Sequence, residues 1–101
     1  MNSVTLVGNL AAEPRPRSLP NGTACRLRLA VDRRSGAGAV FVEVETFGRL
    51  AETCSSHLST GRLVAVHGRL ERESWTAPDG AKCSRHLVIA AAVEFLDHPT
   101  R

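Results

Sequence analysis

The chain has 101 residues and a mass of 10.8 kDa, which suits one domain with a single hydrophobic core. Apolar residues make up 43% of the sequence and charged residues 23%, which excludes a disordered composition. No apolar run approaches the ~20 residues of a membrane span. The first four residues also lack the features of a secretory signal, so we expect a cytoplasmic protein that makes no membrane contact.

The formal net charge of +3 is unevenly distributed along the chain. Residues 1–39 carry six arginines against two acidic residues, a net charge of +4, whereas residues 40–101 carry a net charge of −1. A basic half fits a polyanionic partner such as nucleic acid. A solvated surface in an arginine-biased sequence would give the same count, since Arg outnumbers Lys twelve to one.

The first third of the chain predicts two strands joined by an extended segment and a turn. Residues 4–10 form the first strand, in which Gly8 allows a bend or a close backbone contact. Two prolines exclude residues 13–17 from a central strand and predict an edge strand or an extended connection. Residues 19–22, Leu-Pro-Asn-Gly, predict a turn before a second strand over residues 23–32. The side chains that this strand should bury are Cys25, Leu27, Leu29 and Val31.

A strict period-2 pattern over residues 40–47 predicts the third strand. One face carries Val40, Val42, Val44 and Thr46, and should be buried. The opposite face carries Phe41 and Phe47 together with Glu43 and Glu45. Large aromatic side chains on a polar face indicate a binding surface, or else another strand, a subunit or a loop covers them.

The second half of the chain predicts a basic loop over residues 33–39, one short helix and a hairpin arm. Apolar residues at helical spacing predict a helix over residues 48–58 that ends near Thr60 and Gly61. The fourth strand, residues 63–75, should bury Val64, Val66, Gly68 and Leu70. Beyond Leu70 it is polar on both faces, which predicts a projecting arm that turns at residues 77–80. Residues 83–89 return as the fifth strand, and residues 93–96 close the sheet.

This order of elements predicts an all-β protein, a five-stranded Greek-key barrel of the OB-fold type with one short helix between strands 3 and 4. We find no candidate catalytic constellation and expect no cofactor. Glu43 and Glu45 are interpreted as part of a solvated face. The repeated motifs Cys54-x-x-His57 and Cys83-x-x-His86 could suit zinc, but the second lies in a strand, where residues three apart point to opposite faces. Cys25 is interpreted as a core residue.

Four segments resemble bacterial single-stranded DNA-binding proteins of the OB-fold class. Residues 1–10 are similar to that family's first strand, and residues 19–24 are similar to its first hairpin turn. Residues 47–52 resemble its junction between strand and helix. Residues 68–70 with 75–80 resemble its projecting arm. The resemblance covers the chain from Met1 to about Leu96, and the order and spacing of the four segments make it specific.

The resemblance implies a homotetramer that wraps single-stranded DNA in replication, recombination and repair, with a cytoplasmic, nucleoid-associated location. Residues 1–97 would form the DNA-binding domain and residues 98–101 a short stub. By position, Phe41, Phe47 and Trp75 match the family's base-stacking aromatics, although the arm that carries Trp75 could instead pack on a neighbouring subunit. The side chains expected to bind phosphates are Arg15, Arg17, Arg26, Arg28, Arg33, Arg34 and Arg72.

Three departures from the family pattern qualify this expectation. Residues 33–36 stand where the family commonly has a further aromatic. Glu43 and Glu45 share a face with Phe41 and Phe47, where they would repel phosphate. No Gly- and Pro-rich tail with an acidic tip follows Arg101, so we expect a truncated chain or a short paralogue in which recruitment of replication and repair proteins is in doubt.

The alternative function is that of a tail-less OB-fold protein-interaction factor of the primosomal replication protein type. Such a bridging protein has less need of Phe41, Phe47 and Trp75 on one surface, so the aromatic residues discriminate between the two hypotheses. A hydrolase OB domain has no supporting residue. The first strand is apolar on both faces, which is consistent with a subunit contact.

Overall fold

Six strands and one helix make up the fold, and the computed structural model describes residues 1–96. The elements are β1 (Val4–Leu10), β2 (Arg15–Leu19), β3 (Gly22–Asp32), β4 (Ala39–Phe47), α1 (Gly48–His57), β5 (Leu63–Thr76) and β6 (Lys82–Phe95). The predicted all-β class and the position of the helix, between β4 and β5, are confirmed. The proposed domain boundary at residue 97 and the stub over residues 98–101 lie outside the described residues.

The strands form one sheet that closes on itself, as in an OB-fold barrel. The sheet order is β1-β5-β6-β4-β3-β2, and β1 also pairs with β3 through Asn9 opposite Ala30 and Leu10 opposite Leu29. The pair β4–β6 is parallel, and the other pairs are antiparallel. The segments predicted as a fifth strand and a closing segment are one continuous strand, β6.

The sixth strand is β2, the proline-containing segment that the sequence restricts to an edge. It pairs along one side with β3, from Arg15 opposite Arg26 to Leu19 opposite Gly22. The predicted turn joins the two strands, because only Pro20 and Asn21 separate them. An edge position suits Pro16, since a proline has no N–H to donate to a second neighbour.

The core lies inside the barrel, between the inward faces of the strands and one side of α1. Ala51 and Cys54 of the helix are fully buried, as the helical spacing predicts. Cys25 is also fully buried, which confirms its interpretation as a core residue. The other large side chains with almost no exposure are Leu10, Leu27, Leu29, Val44, Val64, Val66 and Val88. Among the described residues, no helix is long and apolar enough to cross a membrane.

Two glycines permit close contact between backbones at the points where strands cross. A Cβ atom on Gly8 would lie 2.5 Å from the carbonyl oxygen of Ala30, on the strand that closes the barrel. A Cβ atom on Gly68 would collide with the backbone of Ile89 and Ala90. Gly68 also adjoins the bulge that interrupts the β5–β6 register after His67. Both glycines are therefore required by packing.

Beyond the barrel, β5 and β6 continue as the predicted two-stranded arm. Their pairing extends to Thr76 opposite Lys82, and the arm turns through residues 77–81. The turn is closed by hydrogen bonds from the Ala77 N–H to the Ala81 carbonyl at 2.8 Å and from the Gly80 N–H to the Ala77 carbonyl at 2.9 Å. Gly80 has φ +91°, a conformation that favours glycine.

Two side chains predicted to be buried are exposed. Leu70 is 46% exposed because it lies where β5 leaves the barrel. Val40 is 47% exposed because it stands at the start of β4, next to the loop that joins β3 and β4. In both cases the alternation of apolar residues runs past the end of the core.

Candidate nucleic-acid interface

Three large aromatic side chains lie exposed on one face of the sheet. Phe41 and Phe47 of β4 are 55% and 46% exposed, and Trp75 of β5 is 45% exposed. The register aligns Glu45 with Ile89, and Ile89 in turn with Arg69. Side chains alternate along a strand, so Trp75, six residues after Arg69, shares the face of Phe41 and Phe47. We call this surface the outer face.

Guanidinium groups lie over two of the three aromatic rings. Arg28 Cζ is 4.8 Å from the centroid of Phe41, and Arg85 Cζ is 5.4 Å from the centroid of Trp75. A cation above an exposed ring contributes about 0.5–1 kcal/mol. A base that stacked on either ring would have a positive charge beside it. Phe47 instead lines a groove of about 420 Å³ together with Arg17, Leu87 and Ile89.

Glu43 and Glu45 lie between the two phenylalanines, and the expectation that they form a solvated face is wrong. Glu43 is 8% exposed and Glu45 is 3% exposed. Arg28 donates to Glu43 at 3.0 Å, and Arg26 donates to Glu45 at 3.1 Å. The register explains these pairs, because Arg28 is directly opposite Glu43 and Arg26 is directly opposite Glu45.

Further arginines complete the ion pairs from the neighbouring strands. Arg15 of β2 contacts Glu43 at 3.2 Å, and Arg17 of β2 pairs with Glu45. Arg26 also reaches Glu73 of the arm at 3.0 Å, and Arg85 donates to the same carboxylate at 2.7 Å. We call this set the guanidinium network. Its members are Arg15, Arg17, Arg26, Arg28, Arg85, Glu43, Glu45 and Glu73.

The guanidinium network holds more basic than acidic side chains. Burial alone would raise the pKa of the Glu45 carboxyl, but hydrogen bonds from Arg17 and Arg26 outweigh it and hold that pKa below its ordinary value. Hydrogen bonds from Arg85 and Arg26 lower the pKa of Glu73 in the same direction. Five guanidinium groups against three carboxylates leave a net charge of +2 on this surface. The expected repulsion of phosphate by Glu43 and Glu45 is therefore offset by their partners.

The seven arginines predicted to bind phosphate fall into two groups. Arg15, Arg17, Arg26 and Arg28 belong to the guanidinium network. Arg26 is its most enclosed member, with a side chain 12% exposed, so it ties β3 to β4 and to the arm. The others are Arg33 and Arg34, in the loop after β3, and Arg72, on the face of β5 opposite Trp75. These three form no ion pair with another residue in the range 1–96.

Sequence reasoning missed Arg85, which contacts both Trp75 and Glu73. The pairing of the two strands in the predicted hairpin arm would have indicated this contact. Residues 73 and 85 are opposite each other in the ribbon, and residues 75 and 83 are the next pair on the same face. A cation two positions from the partner of Trp75 lies diagonally across from it, within reach of a long side chain.

The cysteine and histidine motifs do not form a metal site. Cys54 lies fully buried on the inward side of α1, whereas Cys83 lies in the arm opposite Trp75. Burial raises the pKa of the Cys54 thiol to about 11, which disfavours the thiolate that a metal requires. No cluster of three or more potential metal ligands occurs in the part of the chain that the structure describes.

Comparison with known proteins identifies the family of the chain. The model of the single-strand binding protein family matches residues 1–96. The chain belongs to this family. A relative from Wolinella succinogenes, named single-stranded DNA-binding protein, is 39% identical over 95% of this chain and 64% of its own length. A relative of the same name from Helicobacter hepaticus is 38% identical over 95% of this chain and 61% of its own length. The chain thus spans about three fifths of the length of these relatives. A protein of Clostridium acetobutylicum named single-stranded DNA-binding protein 2 is 37% identical over 96% of this chain and 77% of its own length.

Proposed function

We infer that this protein binds and protects single-stranded DNA with little sequence preference, and that it does so without a catalytic step. Family membership supports this function, as do the names of its relatives. In the cell, the role would lie in replication, recombination and repair, at a cytoplasmic, nucleoid-associated location. No protein partner is proposed.

The observation that carries the proposal is the exposure of Phe41, Phe47 and Trp75 on one face of the sheet. About half of each side chain is open to solvent, where it contributes little to the core. Every base has an aromatic face, so stacking on these rings is tolerant of sequence, at ~1–3 kcal/mol per base. The same exposure favours DNA binding over the alternative role as a bridging factor, which does not need three aligned aromatic residues.

The arginines proposed to bind phosphate differ in whether a glutamate carboxylate already pairs with them. Arg33, Arg34 and Arg72 are the candidates for direct contact, because no carboxylate among residues 1–96 competes for them. Arg15, Arg17 and Arg28 have side chains that are 45–63% exposed, so they can present a positive field while they remain paired with glutamate. Arg26 positions the network and is too enclosed to reach a phosphate freely.

A homotetramer remains our proposal for the assembly. The first strand exposes Thr5 and Val7 on its outward side, and Val7 is 49% exposed in the single chain. Covering such a surface requires an interface that buries more than ~1,200 Å² in total. Light scattering at micromolar concentration should give about four times the chain mass of 10.8 kDa. A mass equal to that of one chain would contradict the proposal.

Fluorescence anisotropy with end-labelled oligonucleotides tests the function. We expect oligo-dT to bind much more tightly than a duplex of equal length, because a duplex hides its base faces. The logarithm of the affinity should fall with the logarithm of salt concentration, by about 0.7 for each phosphate neutralised. Equal affinities for the single strand and the duplex at moderate salt would contradict the proposal.

A pair of adjacent variants provides the matched control. Phe41→Ala should weaken the binding of oligo-dT. Val40→Ala removes an apolar side chain of comparable exposure, 47% against 55% for Phe41, from the opposite face of the same strand and should leave binding unchanged. If the two variants weaken binding equally, the outer face is not the binding surface.

A further inference from the structure

The groove beside Phe47 lies on the outer face, between β4 and the start of the arm. Because β6 lies between β4 and β5, the side chains of Leu87 and Ile89 form its floor. Phe47 lines the groove from β4, whereas Arg69 and Glu71 line it from β5. The groove therefore has an apolar floor, an aromatic ring on one side and an ion pair on the other. We call it the Phe47 groove.

The dimensions of the Phe47 groove suit a single nucleobase. Its volume of about 420 Å³ lies within the range of small-molecule pockets, about 300–1,000 Å³. Neighbouring strands are about 4.8 Å apart, so β4 and β5 are about 10 Å apart on either side of β6. A base that stacks on Phe47 can extend over Ile89 and direct its edge toward Arg69. In a single strand the Watson–Crick edge of the base is free for such a contact.

The ion pair between Arg69 and Glu71 retains free hydrogen-bonding groups. Arg69 Nε donates to Glu71 Oε2 at 2.9 Å, and the two side chains are 56% and 46% exposed. Among residues 1–96, neither Nη group of Arg69 nor Oε1 of Glu71 has another side-chain partner. The pair thus presents unused donors directly beside an unused acceptor.

The other carboxylates that line the groove already have arginine partners. Glu45 is 4% exposed at its side chain and accepts from Arg26 at 3.1 Å. One oxygen of Glu73 accepts from Arg26 at 3.0 Å, and the other accepts from Arg85 at 2.7 Å. In the part of the chain that the structure describes, Glu71 is therefore the carboxylate of this groove that can accept a hydrogen bond from a base.

A guanidinium group beside a carboxylate complements a carbonyl oxygen beside an N–H group. Guanine presents O6 next to N1–H, and thymine presents O4 next to N3–H. In adenine and cytosine the corresponding positions hold an amino group and an unprotonated ring nitrogen. With those two bases, donor would face donor and acceptor would face acceptor, which leaves polar groups unpaired. The pair therefore distinguishes keto bases from amino bases.

We propose that Arg69 and Glu71 select a keto base, guanine or thymine, over an amino base, adenine or cytosine, at the nucleotide that stacks on Phe47. The inference rests on the proposed function. Arg69 donates to the keto oxygen of the base, and Glu71 accepts from the adjacent ring N–H. The selection concerns one base per chain, so the other contacts of the DNA remain tolerant of sequence.

The test compares labelled oligo-dU and oligo-dC of equal length by fluorescence anisotropy. Uracil and cytosine have rings of the same size and differ only at the edge in question, provided that a mildly alkaline buffer keeps cytosine unprotonated. The wild type should bind oligo-dU at least about fivefold more tightly, the lower limit for a pair of base-specific hydrogen bonds. Equal affinities would overturn the inference.

The variant Glu71→Gln separates this selection from differences in stacking. A carboxamide can turn either its oxygen or its NH₂ group toward the base, so the ratio of the two affinities should fall toward one. The matched control is Glu52→Gln, which removes the same charge from an exposed position on α1 outside the groove. The control should keep the wild-type ratio. If Glu71→Gln also keeps it, the inference is overturned.

A second pair of strands tests the selection among purines. Hypoxanthine has the keto edge of guanine, whereas adenine has the amino edge. Strands that differ only in these two bases should bind the wild type with different affinities, hypoxanthine more tightly, and should bind Glu71→Gln nearly equally. A wild type that prefers the adenine strand would contradict the proposal.

The role of Phe47 in the selection is tested by Phe47→Ala. Without the ring, the base is no longer held against Arg69 and Glu71, so the preference for oligo-dU should decrease together with the affinity. If the full preference persists in this variant, the selecting groups lie elsewhere and the inference is rejected.

These outcomes are distinct from a failure of the proposed function. If the wild type binds none of these single strands, both proposals fail. If the wild type binds oligo-dU and oligo-dC equally well, the function stands and the selection by Arg69 and Glu71 alone is rejected.

Discussion

The guanidinium network and the face of the arm that carries Arg72 and Lys82 both hold basic side chains, but only the network pairs them with carboxylates. In the network, five arginines surround three glutamates, two of which are almost fully buried. On that face of the arm, Arg72 and Lys82 have no acidic partner among residues 1–96. The number of arginines in a sequence therefore overstates the positive charge that is available to a ligand. The acidic residues on the adjacent strand decide which arginines are available.

The network should stabilise the fold, and removal of one buried carboxylate should have the largest effect of the changes considered. We expect Glu45→Gln to lower the free energy of unfolding by about 3 kcal/mol, since it leaves the enclosed Arg26 without one of its partners. Urea denaturation at a fixed protein concentration measures this loss.

The matched control is Glu71→Gln, which removes a carboxylate from an exposed pair with Arg69. Exposed ion pairs contribute about 0–1 kcal/mol. Similar losses in the two variants would show that burial of the network does not matter.

The next effect concerns the outer face of the arm. Trp75→Ala should weaken the binding of oligo-dT by roughly five- to hundredfold, the loss of one stacked base. The melting temperature should change little, because the indole is 45% exposed and lies beyond the barrel. Binding is measured by anisotropy and stability by thermal unfolding. A large fall in melting temperature with no loss of affinity would mean that the arm packs on a neighbouring subunit.

Two double variants that remove the same charge compare arginines that are paired with glutamate and arginines that are not. Arg33→Gln/Arg34→Gln should reduce the salt slope of DNA binding by about 1.4, as two phosphate contacts require. Arg15→Gln/Arg17→Gln should reduce it by less than half as much, because these side chains are held by Glu43 and Glu45. If both double variants reduce the salt slope equally over the same salt range, pairing with glutamate does not limit the contact of an arginine with DNA.

The smallest effect should appear just below about pH 4, where only a small part of these two carboxyls is protonated. Glu45 and Glu73 have folded-state pKa values below the ordinary value of a glutamate, so their contribution to stability is fully present above the unfolded pKa of about 4.3. That contribution is lost as the pH falls through the folded-state values. The melting temperature should therefore drop more steeply below about pH 4 in the wild type than in Glu45→Gln. If the melting temperatures of the wild type and Glu45→Gln fall in parallel with pH, the Glu45 carboxylate does not contribute to stability in this way.

Much of the barrel was predictable because its signals are local. The alternation over residues 40–47 assigned Phe41 and Phe47 to the correct face, and the Pro-Asn-Gly and Pro-Asp-Gly turns located two hairpins. The exposure of Leu70 was not predictable in this way, because alternation does not reveal where a strand leaves the core.

The burial of Glu43 and Glu45 depends on residues far away in the sequence. Alternation indicates that Arg26 and Arg28 share a face of β3, but it does not reveal that this face pairs with the glutamates of β4. Only the register between the two strands provides that information. The same limit applies to Arg85, whose contact with Trp75 follows from the register of the arm.

Stacking of bases on the aromatic residues of the outer face can be followed directly at Trp75, because it is the only tryptophan in the chain. The decisive measurement is the intrinsic fluorescence of the wild-type protein during a titration with oligo-dT. If bases stack on Trp75, its fluorescence is quenched progressively until binding saturates, and an equal length of duplex causes no quenching. Fluorescence that stays constant while anisotropy shows that oligo-dT is bound would contradict it.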